Sequence, residues 1–140
     1  MAQIETLSKR PVLRFWGWGY ADEHLSEQED QLVEMMAKIL APGSACEVSP
    51  PRLSDFNLPP ARHAVPKQFQ AFVSTSSYDR LVHSYGKSFG DIVRMFLRQI
   101  TNPPDWVAFP QSEQDISDLL AYAEQHSMAV IPFGGGTSVC

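Results

Sequence analysis

Trp106-Val107-Ala108-Phe109-Pro110, a Ser112-x-x-Asp115 box before Ile116, Leu119, Leu120 and Ala123, then Met128-Ala129-Val130-Ile131-Pro132-Phe133 running into Gly134-Gly135-Gly136-Thr137-Ser138: the fold turns on this stretch. Two apolar runs of strand length flank a segment whose apolar residues recur at helical spacing. The box opens that segment, because a serine hydroxyl and a carboxylate three residues on can each satisfy the other's backbone amide. Strand, helix and strand in fewer than thirty residues predict a right-handed βαβ unit.

Three glycines directly after a buried strand cost backbone entropy on folding and need a reason. One reading is a plain turn, common after strands. The other is an anion site. Without Cβ atoms the main chain can come close to a pyrophosphate and aim successive N–H groups at it, with the Thr137 and Ser138 hydroxyls as further donors. A βαβ context favours the second reading, since α/β folds bind ligands beyond the carboxyl ends of their strands. Two better-known phosphate loops do not fit. A dinucleotide fingerprint needs a third glycine where Val139 stands, and Gly86-Lys87-Ser88 ends like a Walker loop but has Leu81 at its first glycine position. Gly86 to Ser88 reads instead as a turn ahead of a capped helix.

Upstream, Ser26 with Glu29 opens a helix carrying Leu32, Val33, Met36, Ile39 and Leu40, stopped by Pro42-Gly43. Ser88 with Asp91 opens another, with Phe89, Ile92, Val93, Phe96, Leu97 and Ile100 as its stripe and Asn102-Pro103-Pro104 as its end. Six prolines between residues 42 and 76 predict an extended, irregular connection there. At the start, Arg14-Phe15-Trp16-Gly17-Trp18-Gly19-Tyr20 is too glycine-broken for a regular element, so we expect it to lie across the surface, anchored by its rings.

The 140 residues, 44% apolar and 11% aromatic, have ordinary globular composition. A net charge of −5 leaves no basic face for nucleic acid. No apolar run approaches the ~20 residues of a membrane-spanning helix, and no apolar segment follows the basic N-terminus to make a secretory signal. Cys46 and Cys140 make neither a disulfide framework nor a zinc site, so a cytoplasmic setting is expected. His24, His63, His83 and His126 lack metal-ligand spacing, and no Ser/His/Asp or Cys/His constellation is present.

Pro132 to Ser138 after Pro104 to Pro110 resembles the start of an FAD-binding domain of the vanillyl-alcohol oxidase/p-cresol methylhydroxylase (PCMH) type. Trp16-Gly17-Trp18-Gly19-Tyr20-Ala21-Asp22, with Asp79-Arg80-Leu81, His83, Gly86 and Asp91-Ile92, resembles the alkylglycerone-phosphate synthase (alkyldihydroxyacetonephosphate synthase) branch. The resemblance implies an α+β chain: a helical and irregular region over 1–102, then over 103–140 the first βαβ unit of a PCMH-type FAD-binding domain, truncated. It implies FAD held against Pro132, Phe133, Gly134, Gly135, Gly136, Thr137 and Ser138. It also implies an exchange of the acyl chain of an acylated dihydroxyacetone phosphate for a fatty alcohol, with catalytic residues in a domain outside this chain. Family members are several times longer, so a fragment is expected that, alone, binds FAD weakly or not at all and turns nothing over. The lipid-like substrate is compatible with peripheral contact with a membrane, and a homodimer is compatible with the family. Two alternatives stay open: an FAD-dependent 2-hydroxy-acid oxidoreductase sharing the loop, and a non-catalytic binding module.

Overall fold

Serine caps start the helices in a computed structural model that describes residues 12–40, 43 and 49–137. Helix α1 spans Glu27–Leu40, and the Glu29 carboxylate accepts from both the amide and the hydroxyl of Ser26 at 2.8 Å. Its apolar residues Leu32, Val33, Met36 and Ile39 remain exposed. A short strand β1 (Val73–Ser74) precedes helix α2 (Ser77–Val82), whose cap Ser76 accepts from the Asp79 amide at 3.0 Å. Helix α3 spans Phe89–Phe96 under the Ser88 cap, strand β2 is Val107–Ala108, and helix α4 spans Glu113–Gln125.

At α4 the box closes fully: Ser112 Oγ accepts from the Asp115 amide at 3.1 Å, and the Asp115 carboxylate accepts from the Ser112 amide at 3.0 Å. Ser112→Ala should therefore cost about 1 kcal/mol and lower the melting temperature by roughly 3 °C, checked by a circular-dichroism melt.

Strands β1 and β2 pair antiparallel, Val73 opposite Ala108 and Ser74 opposite Val107, and the Phe109 amide extends the ladder to the Phe72 carbonyl at 2.8 Å. Over this pair lies a core of Phe69, Phe72 and Leu119, joined by Val65, Trp106 and Tyr122. Phe69 meets Tyr122 edge-on at 5.3 Å between ring centroids, a favoured arrangement for the ring quadrupoles.

Two buried cations tie distant segments to this frame. Arg80, 7% exposed, donates from Nε to the Pro104 carbonyl at 2.7 Å and from a terminal nitrogen to the Pro59 carbonyl at 2.8 Å. Lys87 donates to the carbonyls of Arg14 and Phe15 at 3.0 and 3.1 Å. Burial pushes the Lys87 ammonium below its ordinary range, with Asp91 opposing that shift. The aromatic start of the chain does lie across the surface: Phe15 packs edge-on against Phe56, Trp16 against Phe96, and the Tyr78 hydroxyl donates to the Leu13 carbonyl at 2.6 Å.

Three expectations need correction. The predicted βαβ unit does not form: Met128 to Phe133 is not a strand, Ile131 is 83% exposed, and β2 pairs antiparallel with β1 instead. An apolar run becomes a strand only where a neighbour offers unpaired N–H and C=O groups, and no described strand lies beside this run. Helices with a small antiparallel sheet still make an α+β fold. The connection over 42–76 is more ordered than its prolines suggest, holding 3₁₀ turns at Leu53–Asp55 and Lys67–Phe69 besides β1. Helix α3 stops at Phe96, six residues before Asn102, because Arg98 turns left-handed at φ 57°. The Arg98 guanidinium reaches back to the Phe96 carbonyl and across to the Asp55 carboxylate, and these bonds offset the cost of that backbone.

Candidate functional site

The glycine turn is built from the backbone outward. Gly134 and Gly135 are exposed, and a Cβ built on Gly134 would meet nothing within 4 Å. Gly136 is different. Its φ of 66° is left-handed, and a Cβ there would stand 2.5 Å from Cζ of Phe133. Glycine is required at this position twice over, by conformation and by contact with the ring beneath it. Pro132 and Thr137 are exposed and Phe133 is half-buried, while Ser138 lies outside the described residues. Six of the seven predicted contact residues thus form one exposed turn. No hydrogen bond to another described residue occupies the amides of Gly134 to Gly136. The donor set, uncharged amides without side chains in front of them, suits a diphosphate ester.

What anchors the turn comes from upstream. The Phe133 ring lies against the His83 imidazole at 4.5 Å between centroids, and His83 meets Phe109 edge-on at 5.7 Å. His83 caps the C-terminal end of α2, and its Nδ1 sits 2.7 Å from the Asp79 carbonyl. A carbonyl only accepts, so Nδ1 carries the hydrogen. Sequence reasoning had no signal for this role, because a lone histidine without ligand spacing reads as surface or core.

The entry to the 104–140 stretch is held just as firmly. Asp105 accepts from the Arg62 amide at 2.7 Å and from the Arg62 guanidinium at 2.8 and 3.1 Å, a forked pair whose carboxylate is largely buried. The Arg62 side-chain bonds hold the Asp105 carboxyl below the usual carboxylate range. Folding lowers this pKa, so the resulting stability is complete above the ordinary aspartate value near ~3.9 and is lost as pH falls through the folded value. Asp105→Asn should accordingly melt lower than the parent at neutral pH by a few degrees, and the two should converge on acidification, checked by melts between roughly pH 2 and 7.

Other chemistry is sparse. Among the described residues no group of three or more His, Cys, Asp and Glu could hold a metal ion. None of their helices is long and apolar enough to cross a membrane. An open cleft of about 350 Å³ is lined by Gln68, Phe69, Phe72, Asp115 and Asp118, and its two carboxylates would repel a phosphate. Lys87, the cation of the Walker-like sequence, is turned inward on two carbonyls.

Residues 104–140 match the model of an FAD binding domain family, and FAD is the cofactor that this match indicates. Over 67 residues the chain is 37% identical to the alkyldihydroxyacetonephosphate synthase of Trypanosoma brucei brucei, covering 48% of this chain and 11% of that protein. Over 60 residues it is 33% identical to the same-named protein of Dictyostelium discoideum, covering 43% of this chain and 10% of that one. Over 77 residues it is 31% identical to the mitochondrial D-lactate dehydrogenase [cytochrome] of Arabidopsis thaliana, covering 54% of this chain and 13% of that protein. A solved alkyldihydroxyacetonephosphate synthase structure superposes with a TM-score of 0.73 at 20% identity, over 91% of this chain and 29% of that one. The aligned stretches thus cover about a tenth of the length of the curated relatives, and the chain shares the fold of one part of the synthase.

Proposed function

We propose that the chain is the cofactor-gripping part of an FAD-dependent enzyme of the alkyldihydroxyacetonephosphate synthase type. In this reading, residues 103–140 begin the FAD-binding domain and residues 1–102 form the support that holds it. The observation that carries the reading is the exposed Gly134–Gly136 turn, its left-handed Gly136 seated on the Phe133 ring, inside the stretch that matches the FAD binding domain family.

The chain's own residues bind and orient. The amides of Gly134 and Gly135 would donate to the diphosphate, and the Thr137 and Ser138 hydroxyls would complete the donor set. Hydrogen bonds to an ionised acceptor are roughly twice as strong as neutral ones, so a few amides can hold a diphosphate without a lysine. Phe133 backs the turn and keeps it from collapsing inward. Bound flavin supplies the reactive ring system on which acyl and alkyl groups would be exchanged on dihydroxyacetone phosphate without net redox change. A lipid-like substrate and peripheral contact with a membrane belong to this reading.

Similarity to a D-lactate dehydrogenase favours a second reading, oxidation of a 2-hydroxy acid on the same flavin site. Breadth of likeness favours the first, since the synthase fold extends over 91% of the chain and includes the region upstream of the flavin stretch. Protein made from its complete reading frame should be yellow and should replace the acyl chain of acyl-dihydroxyacetone phosphate with a labelled fatty alcohol. D-lactate-dependent dye reduction without alkyl exchange would replace the first reading with the second. A colourless, cooperatively folded protein whose melting is unmoved by FAD would point to a non-catalytic module.

A further inference from the structure

Resting on the reading of residues 132–138 as the diphosphate site, we infer that His83 is a positioning residue for that turn, acting through the Phe133 ring. Gly136 has no side chain with which to fix its own place, so the turn is located by what packs against it. That is Phe133, whose ring stands where a Gly136 Cβ would fall. Phe133 in turn rests on His83, with ring centroids 4.5 Å apart and planes tilted by 57°. His83 is pinned three ways: by its Nδ1 on the Asp79 carbonyl at 2.7 Å, by its own amide on that same carbonyl at 3.1 Å, and by the Phe109 ring. Phe109 belongs to the β1–β2 frame through its amide on Phe72. Asp79 is fixed as well, its carboxylate accepting from the hydroxyls of Ser74 and Ser76. An unbroken series of contacts therefore runs from helix α2 to the glycine turn, and the imidazole links that helix to the Phe133 ring.

Aromatic packing of this kind carries enough energy to matter for an exposed turn with few other restraints. His83→Leu fills the same space without a ring face, and His83→Phe restores the face without the Nδ1 bond. Each is made in the protein from its complete reading frame, and FAD affinity and release rate are measured by flavin fluorescence beside a melt of the flavin-free protein. We expect His83→Leu to weaken FAD binding and speed release by about three- to tenfold, and His83→Phe to recover most of the difference. Ser112→Ala serves as the control, lowering the melt while leaving FAD affinity unchanged. His83→Leu binding FAD within about twofold of the parent would overturn the inference, as would His83→Phe binding no better than His83→Leu. Parent protein that takes up no flavin would overturn the loop reading itself, and this inference with it, so the two failures are told apart by the parent alone.

Discussion

Gly136→Ala should weaken FAD binding by roughly 10- to 100-fold and lower the stability of the flavin-free protein by about 1–2 kcal/mol. Two costs add. A residue with a Cβ at φ 66° enters the left-handed region at a steric penalty, and that Cβ would stand 2.5 Å from the Phe133 ring. Either the turn flattens or the ring leaves His83, and both outcomes displace the amides of Gly134 and Gly135. Gly134→Ala is the informative companion, because nothing lies within 4 Å of its added methyl. The flavin-free melt of Gly134→Ala should match the parent, while its FAD affinity falls by about tenfold as the methyl blocks the approach of the diphosphate. Titration of each variant with FAD, next to a melt without it, separates loss of the turn from loss of contact. Equal FAD affinity in all three proteins would mean that the cofactor sits elsewhere.

Arg80→Met should destabilise the fold by about 3 kcal/mol, a fall in melting temperature near ~10 °C. Methionine keeps the buried stem and removes the guanidinium, leaving the carbonyls of Pro59 and Pro104 without the donors they have now at 2.8 and 2.7 Å. Both lost bonds come from a charged donor that is itself buried, and hydrogen bonds of that kind are worth more than neutral ones. Arg80→Lys should recover only part of the loss, since an ammonium on a single stem does not reproduce the planar fork that spans both carbonyls. Urea unfolding of the three proteins checks the order. A parent-like midpoint for Arg80→Met would show that water satisfies both carbonyls. Because Pro104 opens the flavin stretch, loss of this staple should also loosen FAD, though less than Gly136→Ala does.

How much could be read in advance follows from how local each device is. The serine caps at Ser26, Ser88 and Ser112 each lie within four residues of their partner, and each starts a helix where expected. The end of α3 depends on Arg98 meeting Asp55, 43 residues away, and so was invisible in the apolar stripe. Strand β1 is two residues long within a proline-rich stretch, and only its pairing with Val107 and Ala108 makes it a strand. Met128 to Phe133 shows the converse. Its apolar character announces burial, but a strand also needs a partner, and Val130 and Ile131 stand exposed. At the site, three consecutive glycines flagged the turn, and the left-handed Gly136 supplies a reason for one of them. His83 and Arg80 could not be assigned from residue type, since their roles consist of contacts with Phe133, Pro59 and Pro104 that lie 21 or more residues away in the chain. Lys87 was legible only by elimination: without the first Walker glycine it had no phosphate to serve, and it holds the aromatic N-terminal segment instead.

A crystal structure of the complete protein with FAD bound would be decisive. The diphosphate should lie within about 3 Å of the main-chain nitrogens of Gly134 or Gly135, with Phe133 still packed on His83. A diphosphate held by another segment, with this turn open to solvent, would contradict the assignment.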